Sequence, residues 1–204
     1  MSIRVFGLTG PSGAGKGAAC RIFAKYGVPS IDTDAVYHEL LEHSNALTNE
    51  LSATFGRSIL GENGRVARKS LAAAVFGHEN TPALLHTLNE ITHKYVMART
   101  WEMVHALEQG GAAAVLIDAP QLFEAHIERS CECVIGVLAH RELRLARIIA
   151  RDGISKEAAE RRMNAQRDDA FFRGSCHYIL ENNGDENALE GQILRLLKEL
   201  HVEV

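Results

Sequence analysis

Ile3-Arg4-Val5-Phe6-Gly7-Leu8-Thr9-Gly10-Pro11-Ser12-Gly13-Ala14-Gly15-Lys16-Gly17 is the stretch that decides the fold. Its first seven residues form a short, mostly apolar run rich in β-formers, and Gly10-Pro11-Ser12-Gly13 stops them with a turn. From Lys16 onward Ala19, Ile22, Phe23 and Tyr26 recur at intervals of three and four, the spacing of one helix face, and Gly27 ends that helix. Between strand and helix lies G-x-x-x-x-G-K, from Gly10 to Lys16. Glycines let such a loop curl so that successive N–H groups point inward at an anion. The helix N-terminus adds a partial positive charge and the lysine a full one. Ser12, Gly13, Ala14, Gly15, Lys16 and Gly17 are therefore the expected seat of a nucleotide's phosphates. The competing reading, a glycine-rich turn that binds nothing, is disfavoured by the strand before it and the helix after it.

Outward from this unit the same alternation continues. Strands are expected at Val28–Ile31, Ala113–Ile117, Cys133–Leu138 and His177–Leu180. Helical spacing runs through Ala35–Leu41, Asn45–Phe55, Arg68–Val75, Pro82–Gln109, Arg141–Arg151, Lys156–Asp168 and Asn187–Leu200, with Ser155 as a cap. Five apolar strands separated by helices predict an α/β fold: a parallel sheet covered on both faces, hence three layers. The second strand is expected beside the first. The chain reads as a single domain over 1–204, with a helical insertion over about 35–110.

Composition narrows the function classes. The 204 residues suit one sizeable domain, and 46% apolar with 24% charged residues is the balance of a globular protein. A net charge of −4 gives no basic excess for nucleic acid, and 6% aromatics argues against a stacking surface. No apolar run is long enough to span a membrane. Met1-Ser2-Ile3-Arg4 lacks a signal-peptide layout. Cys20, Cys131, Cys133 and Cys176 lack the spacing of a zinc site, so four reduced thiols in a cytoplasmic protein are expected. Nothing calls for an obligate protein partner.

Three further groups carry chemistry. Asp32-Thr33-Asp34 ends the second strand, at the sheet edge where ligands of open α/β folds sit. A carboxylate there can take a proton from an attacking hydroxyl, or merely cap the next helix. Asp118 ends Ala114-Val115-Leu116-Ile117 and is a candidate for holding Mg²⁺ through water, with a strand-end cap as the rival reading. Arg141, Arg144, Arg147 and Arg151 line one side of a helix, and Arg161, Arg162 and Arg167 follow. As a cluster they fit a lid over 141–168 that closes on a polyphosphate. Gly17 and Ala18 stand where a hydroxyl normally meets magnesium. Either the metal is held by carboxylates and water, the favoured reading, or the loop binds nucleotide and transfers poorly.

Taken together, these elements resemble the dephospho-coenzyme A kinase family of P-loop kinases. Ile31-Asp32-Thr33-Asp34 is similar to that family's I-D-A-D, and Pro120-Gln121-Leu122-Phe123-Glu124 to its P-L-L-F-E. Ile91-Thr92-His93 resembles its substrate-side helices. Arg151-Asp152-Gly153, Arg162 and Gln166 resemble its lid, and Asn182-Asn183-Gly184 its last turn. The chain departs from the pattern at Gly17-Ala18, Lys94, Gln121 and Cys176-His177. The resemblance implies transfer of the γ-phosphate of ATP, with Mg²⁺, to the ribose 3′-hydroxyl of dephospho-coenzyme A. It implies Asp34 as general base, with Asp32 positioning it or a magnesium water. Lys16 and Arg147 would act on the transferring phosphoryl group and Arg151 on ATP, and the helical insertion around His93 would hold the pantetheine and adenine parts of the acceptor. A nucleoside monophosphate kinase is the nearest rival, and a binding protein without turnover the rival of another class. A GTPase is disfavoured because no N-K-x-D occurs.

Overall fold

The computed structural model describes residues 2–77 and 79–202; Met1 of the expected N-terminal layout lies outside them. In chain order the elements are β1 (Arg4–Thr9), α1 (Lys16–Lys25), β2 (Ser30–Asp32), α2 (Thr33–His43), α3 (Asn45–Phe55), α4 (Arg68–Val75), α5 (Thr81–Gln109), β3 (Ala114–Asp118), β4 (Cys133–Leu138), α6 (Arg141–Asp152), α7 (Lys156–Asn164), α8 (Asp169–Ser175), β5 (Tyr178–Glu181) and α9 (Glu186–Glu199). They gather into two compact units, Met1–Asp32 with Ala106–Val204, and Thr33–His105.

The first unit holds a five-stranded, all-parallel sheet in the order β2-β3-β1-β4-β5. Phe6 and Leu8 of β1 stand in register with Leu116 and Asp118 of β3, and with Cys133 and Ile135 of β4. This face packs against Ala19, Ile22 and Phe23 of α1 and Leu189, Ile193, Leu196 and Leu197 of α9. The opposite face buries Val115, Ile117 and Val134. Burial on both faces explains why the strands read as unbroken apolar runs. Each fully buried Leu, Ile or Phe contributes about 1.5–3 kcal/mol. Gly7 lets Leu122 close on the sheet: a Cβ there would lie 2.6 Å from Leu122 Cδ1.

Three expectations are corrected. β2 does not lie beside β1, because β3 is inserted between them. β2 is also shorter than expected, Ser30–Asp32 rather than starting at Val28. Pro29 has no N–H for the ladder, although its carbonyl accepts from the Leu116 N–H at 2.8 Å. The helix expected over Lys156–Asp168 stops at Asn164. Asp168 instead caps α8, which the periodicity did not reveal, by accepting the Phe171 N–H at 2.8 Å.

The second unit is helical. Leu41, Leu47, Leu51, Ile59, Leu71, Val75 and Ile91 form its core, and Ser44 caps α3 by accepting the Leu47 N–H. Lys94, a departure from the family pattern, donates to both carboxylate oxygens of Glu50 on α3 at 2.8 and 2.7 Å, and the Tyr95 hydroxyl donates to Glu50 as well. Among the described residues no helix is long and apolar enough to cross a membrane.

Candidate active site

The loop after β1 is held from behind. Arg144 is 5% exposed, and its Nε donates to the Ser12 carbonyl at 3.1 Å while its terminal nitrogen meets Asp169 Oδ1 at 3.0 Å. Arg147 donates to the carbonyls of Gly13 and Ala14, both at 3.4 Å, and to that of Asn182 at 3.1 Å. The buried Asn182 amide donates to the Ala14 carbonyl at 2.8 Å. A peptide is planar, so fixing its carbonyl on one side turns its N–H to the other. Pinning the Ser12 and Ala14 carbonyls outward turns the N–H groups of Gly13 and Gly15 to the opposite side, a nest for phosphate, while the Ala14 N–H closes the turn on the Pro11 carbonyl at 3.1 Å. Gly13 is required here on two counts. Its φ is +78°, and a Cβ would lie 2.6 Å from the Arg144 carbonyl oxygen.

Burial pulls the Arg144 guanidinium below its ordinary pKa, against the raising effect of Asp169. The arginine stripe of α6 therefore divides by partner. Arg144 and Arg147 brace the loop, Arg141 turns to Asn164 of α7 at 3.0 Å, and Arg151 reaches Ser12 Oγ at 3.4 Å. Arg151 and Arg162 are also paired with Asp152, whose carboxyl they hold down at about 2, the Arg151 hydrogen bond being the larger cause. The apolar side of α6 packs Ile148 against Ala159 and Met163 of α7.

On the anion side Lys16 Nζ lies 3.8 Å from Asp118 Oδ1, with only 17% and 14% of the two side chains exposed. This pair follows from β3 being next to β1, since Leu8 and Asp118 are in register. Asp32 is in register with Asp118 on the far side of β3, and it is exposed. Cys20, one turn into α1, lies with Sγ 3.6 Å from Asp118 Oδ2. Burial, with Asp118 adding to it, pushes that thiol up to about 12. Gln166 Oε1 accepts the Ser12 N–H at 2.9 Å, so an amide of the loop already holds an oxygen. Sequence reading missed this contact, as it missed Cys20. A glutamine beyond the end of a helix carries no pattern that names its distant partner.

The remaining expected residues have separate places. Asp34 is exposed in the first turn of α2, and His93 is half-buried on α5. Both belong to the helical unit. Gly17 is exposed, and a Cβ there would find only Arg21, at 4.0 Å. The Cys176-His177 departure is absorbed by the sheet: the backbone N–H of His177 donates to the Val134 carbonyl at 2.9 Å, and its ring Nδ1 accepts the Val134 N–H at 3.0 Å.

A sequence model of the dephospho-CoA kinase family matches residues 4–188. The chain belongs to the dephospho-CoA kinase family. A dephospho-CoA kinase of Deinococcus radiodurans is 37% identical over 199 residues, covering 98% of this chain and 93% of that one. The dephospho-CoA kinase of Latilactobacillus sakei is 34% identical over 193 residues, covering 94% and 93%. Among solved structures, a protein of Thermus thermophilus superposes with a TM-score of 0.82 at 30% identity, covering 98% of this chain and 99% of that one. As a dephospho-CoA kinase, the chain is a transferase of coenzyme A biosynthesis that phosphorylates dephospho-CoA at the expense of ATP. The fold is accordingly the P-loop kinase form of the α/β class.

Proposed function

We propose that the nest between β1 and α1 holds the phosphates of ATP, and that Asp34 draws the proton from the ribose 3′-hydroxyl of dephospho-CoA as its oxygen attacks the γ-phosphorus. The bond from the γ-phosphorus to the bridging oxygen breaks, and ADP leaves. The observation that carries this reading is the loop with three carbonyls pinned from behind and the Lys16–Asp118 pair on its anion side. A charge fixed in advance where phosphoryl charge develops is the largest source of acceleration in such transfers. Asp34 is preferred as base because it is an exposed carboxylate two residues beyond the end of β2. In this reading Asp32 orients it, Arg151 takes ATP, and Arg147 acts on the transferring group by fixing the loop. His93 serves the acceptor, and the α6–α7 segment of 141–168 is the lid.

Magnesium is part of the proposal. Gly17 and Ala18 offer it no side-chain oxygen, but Mg²⁺ keeps several waters and commonly takes one or two carboxylates plus substrate phosphates. On that basis Asp118 or Asp34 would hold the ion through water, with Asp32 positioning Asp34 or a magnesium water. Bound there, it would neutralise charge on the phosphates. A cytoplasmic location is also proposed, on the ground of four free cysteines; cell fractionation tests it.

Asp34→Asn tests the base. Its kcat should fall by about 100-fold or more, with the KM for ATP little changed. Full turnover by this variant would remove Asp34 from the role.

A further inference from the structure

The pair of Lys16 and Asp118 has a third member. Cys20 follows Lys16 by four residues on α1, so the two side chains lie on one face of the helix. Cys20 Sγ is 3.6 Å from Asp118 Oδ2, while the other carboxylate oxygen, Oδ1, faces Lys16 Nζ at 3.8 Å. A carboxylate can only accept, so the thiol is the donor. Ser30, the first residue of β2, also hydrogen-bonds this thiol. Lys16, Cys20, Ser30 and Asp118 all belong to the sheet unit. Between Lys16 and Cys20 the helix carries only Gly17, Ala18 and Ala19. Cys20 is thus the first side chain after the lysine able to give Asp118 a hydrogen.

We propose that Cys20 is a positioning residue, whose S–H holds Asp118 Oδ2 so that the carboxylate stands beside Lys16 without closing on it. The inference rests on the reading of the loop as the seat of ATP and adds a residue to it. At 3.8 Å the pair is too long for a hydrogen bond, so the lysine keeps its three N–H groups for phosphate. The carboxylate's charge nevertheless stays within reach. Attraction between the two charges grows as they approach, and a closed pair would meet at about 2.8 Å. Turning Asp118 to close that gap would break its bond to sulfur. The thiol divides the two oxygens, one for itself and one for the lysine. It is a dependable donor, because burial pushes it up to about 12 and the hydrogen is retained at every working pH. It is also a weak donor, so the hold is light.

The test is ATP binding by calorimetry on Cys20→Ala, which removes the donor, and Cys20→Ser, which restores one. Cys20→Ala should weaken ATP about fivefold, equivalent to ~1 kcal/mol, and Cys20→Ser should recover most of that loss. In an Asp118→Ala background Cys20→Ala should cost nothing more, since the group it acts through is gone. Unchanged affinity in Cys20→Ala, equal weakening in both Cys20 variants, or the same loss with and without Asp118 overturns the proposal in favour of plain packing. Thermal melting checks folding. If Cys20→Ala melts early, the infrared S–H stretch decides, with the Cys20→Ser spectrum subtracted to isolate Cys20. It should lie at the lowered frequency of a bonded thiol and rise in Asp118→Ala; a stretch indifferent to Asp118 overturns the proposal. Should the wild-type protein not phosphorylate dephospho-CoA, the kinase reading fails separately, because neither calorimetry with ATP nor the S–H stretch depends on turnover.

Discussion

Arg144→Met removes a guanidinium and keeps most of the stem that carries it. In the native protein that group donates to the Ser12 carbonyl at 3.1 Å and to Asp169 at 3.0 Å, from a site 5% exposed. A hydrogen bond involving a charged group is worth about 1.5–3 kcal/mol. The Asp169 side chain is 44% exposed, so its share is discounted toward the ~1 kcal/mol of a solvated ion pair. The sum is about 2.5–4 kcal/mol. For a chain of this size each kcal/mol moves the melting temperature by roughly 2–4 °C, which gives a fall of about 5–16 °C. The variant should also bind ATP more weakly, because the Ser12–Gly13 peptide is no longer held with the Gly13 N–H on the anion side. Circular dichroism melting, with and without ATP, reads both effects. A shift below 2 °C with wild-type ATP affinity would refute the argument that this arginine braces the loop.

Three other outcomes follow from the same geometry. Gly17→Ser should fold normally, since the backbone there is outside the left-handed region and a Cβ has open space to 4.0 Å; the Mg²⁺ concentration for half-maximal activity should drop, and a lowered melting temperature would contradict the space seen. Cys20 and Cys131 are pushed up to about 12, and Cys133 and Cys176 to about 11, in each case chiefly by burial. At pH 8 only about one Cys20 thiol in ten thousand is then ionised, so native protein should resist iodoacetamide by mass spectrometry, and alkylation at the rate of a free cysteine would count against that environment. Asp152 should titrate near 2 by carbon NMR. Its folded pKa lies below its ordinary value, so its ties to Arg151 and Arg162 are fully present above about pH 4 and are lost only as pH falls through 2; a midpoint near 3.8 would show that they do not form in solution.

Much of the fold was legible because its signals are local. Gly10 to Lys16 announces strand, turn and helix within a few residues, and Ser155 and Gly153 mark helix ends where the structure has them. Strand order was not legible. Whether β2 or β3 lies beside β1 is decided by pairing between residues 86 apart (Ser30 with Leu116) and 110 apart (Arg4 with Ala114), and an apolar run such as Ala114–Ile117 carries no local mark of which neighbour it takes. The consequence falls on the site, since the carboxylate that reaches Lys16 is Asp118, for which the sequence alone supports a metal contact and a strand-end cap alike. The arginine stripe was legible as a stripe only. Spacing placed Arg144 and Arg151 on one side of α6, but it could not say that one would be buried on a carbonyl while the other stayed beside an exposed hydroxyl. Helix α8 was hidden because seven residues with a Phe171-Phe172 pair give too short a period to read, although Asp168 carried its capping signal.

Phosphorus NMR of the wild-type protein with ATP, Mg²⁺ and dephospho-CoA tests the central claim most directly. The account predicts that the γ-phosphate signal of ATP decays only when the acceptor is present. In its place a phosphomonoester coupled to the ribose 3′ proton should appear, one for each ADP formed. Release of inorganic phosphate alone, or a phosphomonoester at any other position, would contradict it.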